Sequence, residues 1–195
     1  MNQLSEWLES LSSVSAAERA VAAQELFRTG LALSAPIVRA WCAHPALASL
    51  LMQPAPSKEF LGVTVGVVVT PASFQLIRSA TGSPPLADVP PDQDALEFEL
   101  HFSAGVSLDV LTTIDPAGLG AIARFLSRQG EGIQQVEYQT TDVDRATALL
   151  RDSCDHPPVY SATRQGANGT RINFVLATYP EGKKILIELV ELPRA

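Results

Sequence analysis

The sequence predicts an α+β protein made of paired βαβββ units behind an N-terminal helical arm. Three observations lead there. Residues 4–52 carry helical periodicity without a strand pattern, apolar alternation with period two begins after residue 60, and the two halves of the remainder match each other.

In the arm, Leu4, Trp7, Leu8 and Leu11 fall on one helical stripe, and AAERAVAAQELF is rich in good helix formers. Two or three helices are expected, with breaks near Gly30 and Pro36. QPAPSKE, residues 53–59, carries two prolines that stop a helix and suit a linker. Residues 1–56 are therefore read as a helical extension. It resembles one helical pair of a HEAT-type repeat, which cannot bury its own apolar face, so it is expected to pack on the rest of the chain or on a second copy.

Residues 57–195 are read as one domain with half-units at about 60–113 and 132–192, joined by a linker helix over 115–129. In the first half, GVTVGVVV (62–69), ALEFELHF (95–102) and VSLDVLT (106–112) read as strands, with a helix at 72–80. GSPPLADVPPDQD (82–94) reads as a loop with room for a short edge strand. In the second half, GIQQVEYQ (132–139) is a strand and DVDRATALLRDSC (142–154) a helix capped by an aspartate. PVYSAT, TRINFVLA and KILIELVE complete the set.

Composition limits the function. Of the 195 residues, 46% are hydrophobic and 18% charged, enough apolar material for a packed core. The formal net charge of −7, with lysine only at positions 58, 183 and 184, speaks against a nucleic-acid or anionic-membrane surface. The N-terminus is acidic where a signal peptide is basic, and no apolar run approaches the roughly 20 residues that span a bilayer. A cytoplasmic protein with Cys42 and Cys154 as reduced thiols is expected.

ILIELVE (185–191) places a carboxylate, Glu188, in the middle of an apolar strand, where an unpartnered charge is costly. VSLDVLT in the first half repeats that pattern, so Asp109 takes the place of Glu188. The opening strands align Thr64 with Gln135. An acid at the same place in two half-repeats suggests side chains converging on one site.

FLSRQGEGIQQVEYQTTDVDRATALL and KKILIELVE, within residues 60–192, resemble the vicinal oxygen chelate superfamily, closest to methylmalonyl-CoA epimerase and glyoxalase I. The resemblance implies an open cup-shaped mixed sheet and a homodimer. It implies a divalent metal ion such as cobalt, manganese, nickel or zinc, held by Thr64, Asp109, Gln135 and Glu188. The family's first-strand ligands are usually histidines; Thr64 and Gln135 stand there instead, which makes the expected metal site a degenerate one. The implied ligand is a small carbonyl or thioester compound. The implied chemistry, of an isomerase or lyase, is proton transfer next to a carbonyl.

Candidate acids and bases are Glu137, on the Gln135 face of its strand, Asp92 in the VPPDQD loop, and His101, on the polar side of ALEFELHF. Arg164 and Arg171 flank a Gly/Asn turn, where they either meet a phosphate or carboxylate or are simply solvated. His44 and His156 each precede proline and read as surface or capping residues. The alternatives to an enzyme are a non-catalytic small-molecule-binding module of the bleomycin-resistance kind and a protein-interaction scaffold.

Overall fold

The computed structural model describes residues 3–53, 59–154, 156–178 and 184–193. Most of the QPAPSKE linker, with Lys58, and also Lys183 lie outside them. The helices are α1 (Gln3–Ser10), α2 (Ala16–Cys42), α3 (Pro45–Leu51), α4 (Pro71–Ala80), α5 (Ala121–Gln129) and α6 (Val143–Ser153). The strands are β1 (Val63–Val68), β2 (Ala95–His101), β3 (Ser107–Thr113), β4 (Gly132–Gln139), β5 (Arg164–Gln165), β6 (Arg171–Thr178) and β7 (Lys184–Glu191). The chain divides into two compact units: residues 1–30 with 64–134, and residues 31–63 with 135–195. The class is α+β.

In the first unit β3 pairs in parallel with β1 and antiparallel with β2. Val65 and Val67 of β1, Phe98 of β2 and Leu108 and Val110 of β3 share one face and are buried. Phe74 of α4 meets Phe98 edge to face at 4.8 Å. On the opposite face Val68, Ala95 and Leu111 pack with Ile122, Phe125 and Leu126 of α5. No fourth strand forms between β1 and β2 among the described residues. Ala87 donates one backbone hydrogen bond to Glu97, and the surrounding loop goes no further towards pairing because Pro84, Pro85, Pro90 and Pro91 have no N–H to offer.

In the second unit β7 pairs in parallel with β4 and antiparallel with β6, and β6 pairs antiparallel with β5. The full strand, helix and three-strand order is present. PVYSAT, expected as a strand, makes only a bridge from Pro158 to Val175, and the short edge strand is Arg164–Gln165. Asp142 caps α6 as expected, accepting from the Arg145 backbone N–H at 2.9 Å.

The arm departs from expectation at two points. α2 runs unbroken through Gly30 and Pro36. Proline removes a helix hydrogen bond, but the turns around it are held by burial: Ser34, Val38 and Trp41 are almost wholly enclosed, and Ser34 shares a 2.7 Å hydrogen bond with Tyr138 in the same unit. Gly30 serves as a close-approach residue. A Cβ built there would lie 2.6 and 2.7 Å from the two methyl groups of Val65, a stiff β-branched side chain. No helix among the described residues is long and apolar enough to cross a membrane.

Replacing a helical glycine by alanine usually stabilises by about 1 kcal/mol. At Gly30 the sign is expected to reverse: Gly30→Ala should cost roughly 1–3 kcal/mol through overpacking against Val65. Urea unfolding of both proteins measures it, and a gain in stability would show that α2 and β1 are not in tight contact.

Candidate active site

Strand register decides which side chains share a surface. In the second unit Gln135 lies beside Leu186, Glu137 beside Glu188, and Glu188 beside Phe174. Gln135, Glu137, Glu188 and Phe174 therefore project from one face. Gln135 and Glu188 are buried, each 6% exposed. The Gln135 amide nitrogen donates to Glu188 Oε2 at 2.7 Å and, more weakly, to Glu137 Oε1 at 3.3 Å.

The first unit repeats this register with other residues. Gly66 lies beside Asp109, and Asp109 beside Glu99. Asp109 and Glu188 thus occupy the same place in their units, and Gly66 stands where the second unit has Glu137. Thr64, half-buried, is two residues before Gly66 on the same face, and Asp109 is buried. Along β2 that face carries Glu97, Glu99 and His101. His101 places Nε2 3.1 Å from Glu99 Oε2 and Nδ1 3.1 Å from Ser107 Oγ. Asp92 lies apart from the strands, exposed in a short 3₁₀ turn over Pro91–Gln93.

Glu97 is the residue that sequence reasoning passed over. It lies beside Leu111, next to the apolar cluster under α5. Burial, reinforced by the charge of Glu99, pushes its carboxyl from the ordinary 4.5 up to about 7. The alternation in ALEFELH was the available signal, but it marks the whole polar face and does not separate Glu97 from Glu99. Glu131, in the GEGI turn, is different. Its burial works against ionisation, yet hydrogen bonds from Ser73 and Thr70 outweigh it and hold the carboxyl below its usual value. Thr70 donates to Glu131 through both N and Oγ1 at 2.8 Å, at the N-terminus of α4, so Glu131 serves the fold.

Among the other candidates, Arg171, His156 and Arg164 find ordinary partners and the buried His44 Nδ1 does not. Arg171 is paired with Asp144 at 2.6 Å and with Glu191 at 3.5 Å. His44 is the residue before α3, and its side chain makes no capping bond. His156 packs edge to face on Trp41 and places Nδ1 2.6 Å from the Cys154 carbonyl. Arg164 stacks over the ring of Tyr160.

Solved structures resemble this arrangement of strands and helices. The methylmalonyl-CoA epimerase of Mycobacterium tuberculosis is 29% identical, with a TM-score of 0.54, over 68% of this chain and 89% of its own. This is the vicinal oxygen chelate fold. A variant of the Streptomyces coelicolor epimerase in complex with 2-nitronate-propionyl-CoA matches at 23% identity and a TM-score of 0.51, over 67% of this chain and 96% of that one. A methylmalonyl-CoA epimerase in complex with methylmalonyl-CoA and NH4+ matches at 25% identity and a TM-score of 0.50, over 66% and 91%. No protein-family model matches the chain, and no curated protein does.

The vicinal oxygen chelate superfamily implies a divalent metal, and the donor set here does not fit a transition-metal site. A threonine hydroxyl and a glutamine amide replace imidazole, and the amide turns its nitrogen, a donor with no lone pair for a metal, towards Glu188. Among the described residues no three His, Cys, Asp or Glu side chains are grouped so as to hold an ion.

Two outcomes are expected. Calorimetry with cobalt and manganese should show no site tighter than about 1 μM, equivalent to roughly 8 kcal/mol, and equal heats for the wild type and Glu188→Gln; a tight site abolished by the substitution would reverse the assignment. Glu97 makes a separate, pH-dependent signal. Because its folded-state value lies above the unfolded one, its contribution to stability is full below about pH 4.5 and is lost as pH rises through about 7. Glu97→Gln should therefore flatten that decline and raise stability at about pH 8 by up to roughly 3 kcal/mol. Thermal melts of the two proteins across this range check it.

Proposed function

We propose that the chain binds a small acyl thioester of the coenzyme A type and exchanges the proton on the carbon next to its carbonyl, an epimerase-like activity, with a degenerate metal site. The observation that carries this reading is Glu97, a half-buried carboxyl on the polar face that also holds Asp109, with a proton affinity near neutrality. A general base works best when its pKa lies close to the operating pH. The 29% identity to an epimerase supports the thioester as the substrate class.

In this reading the C–H bond breaks, its electron pair is delocalised towards the thioester oxygen, and the proton passes to the Glu97 carboxylate. Return of the proton regenerates the carbanion's neutral form. Glu137, Asp92 and His101 are the other acid–base candidates, and their substitution shows whether the assignment to Glu97 holds. A second reading, a binding module that sequesters its ligand, is favoured by the absence of imidazole at Thr64 and Gln135.

Proton NMR of propionyl-CoA in D2O tests the proposal. Deuterium should enter the position next to the carbonyl faster with protein than without, and the rate should rise with pH through about 7 as Glu97 ionises. Glu97→Gln should lower it at least about a hundredfold, the usual contribution of a positioned base. Exchange surviving in Glu97→Gln and lost in Glu137→Gln would move the role to Glu137. Binding without exchange would establish the sequestering module.

A further inference from the structure

Between α1 and the start of α2, within the first unit, lies an open groove of about 300 Å³. Trp7 and Ser10 line it from α1, and Ala17, Glu18, Val21 and Ala22 from α2. The two helices bury another stripe: Leu8, Leu11, Ala23 and Leu26 are almost wholly enclosed. The groove is not covered in this way. Val21 is 64% exposed, and Trp7 is only half-buried. Apolar side chains left open in a concave site between two helices are the surface on which a partner segment seats.

The charge around the groove has one sign. Glu18 Oε2 accepts from Ser13 Oγ at 2.5 Å, and among the described residues no cation pairs with this carboxylate. Glu6 is exposed one turn before Ser10 on α1, also without a cationic partner among the described residues. Up to Gly30 the chain has two basic side chains, and both are engaged: Arg19 donates to the Ser13 carbonyl at 2.7 Å, and Arg28 pairs with Glu25 at 2.7 Å.

We propose that this groove docks a basic, amphipathic segment of a partner protein, with an apolar anchor against Trp7 and Val21 and a lysine or arginine at Glu18. A long cationic side chain suits the site because its methylenes cover apolar surface such as Ala17 and Ala22 while its head pairs with a carboxylate or lies over an indole ring. Charge argues against a second copy of this chain. A two-fold contact would set Glu6 and Glu18 of one copy against the same acids of the other.

Selection of displayed random peptides of about 16 residues, long enough for roughly four helical turns, tests the assignment on the full chain. The library is first depleted on the double variant Glu18→Gln, Val21→Ser. Enriched peptides should carry lysine or arginine within one turn of a leucine or aromatic residue. One of them, synthesised, should shift the emission of Trp7; Trp7→Phe removes the change, since Trp41 is buried. Its affinity should fall about tenfold in Val21→Ser and about fivefold in Glu18→Gln, and the second loss should vanish near 1 M salt. No enrichment after depletion, enriched peptides without basic residues, or equal affinity for wild type and both single variants would each overturn the proposal. So would sedimentation showing a dimer that Val21→Ser dissociates, which would put a second copy in the groove. Glutamine keeps the capping role that Glu18 has opposite Ser15, and Val21 is exposed, so melting curves should match the wild type. Should Val21→Ser melt early, Val21→Thr, which keeps the branched shape, takes its place.

Discussion

A carboxylate in the middle of a buried parallel strand pair is the constraint to which the second unit answers. Glu188 can sit 6% exposed in ILIELVE because Gln135, two residues before the neighbouring Glu137 on β4, extends its amide nitrogen to it at 2.7 Å. A hydrogen bond to a charged group contributes about 1.5–3 kcal/mol, while a buried charge left without a partner costs more than that. The bond therefore requires Gln135, Glu137 and Glu188 to share one face. Ile187 and Leu189 then fall on the other face and are buried, as are Val143, Ala146 and Leu150 of α6, the helix that contacts β6 and β7. The apolar side of this unit is set by what its polar side needs.

The first unit meets the same requirement differently. Asp109 takes the place of Glu188, but its neighbours are Gly66 and Glu99. Gly66 contributes no side chain, and the carboxylates are gathered along β2 instead, with His101 against the outer one. Burial beside the apolar cluster under α5, reinforced by the charge of Glu99, raises the cost of ionising Glu97. At this single register position the two half-repeats thus differ, Gly66 against Glu137.

Loss of imidazole at the first-strand positions alters what these faces can do. Threonine and glutamine are weak donors to a transition metal, and once the amide nitrogen is committed to Glu188 the second unit presents acceptors already in use. What the polar strand faces keep are carboxylates, with Glu97 the one whose proton affinity burial brings near neutrality.

By itself the sequence determined the strand and helix order, the two half-repeats and the pairing of Asp109 with Glu188, because these rest on periodicity and short-range matching, which a linear pattern carries. Alternation also placed Gln135 and Glu137 on one strand face, while the resemblance to the superfamily joined Glu188 to Gln135. Tertiary structure alone decided three things. α2 continues through Gly30 and Pro36 because the close approach to Val65 and the burial of Ser34, Val38 and Trp41 outweigh local helix-breaking tendencies. GSPPLADVPPDQD, a loop by sequence, forms no edge strand, since its proline-rich backbone makes one hydrogen bond to β2, from Ala87 to Glu97. Glu97 became distinct from Glu99 because proton affinity depends on what covers a residue, and alternation along a strand records which face a side chain takes but not how deeply that face is buried.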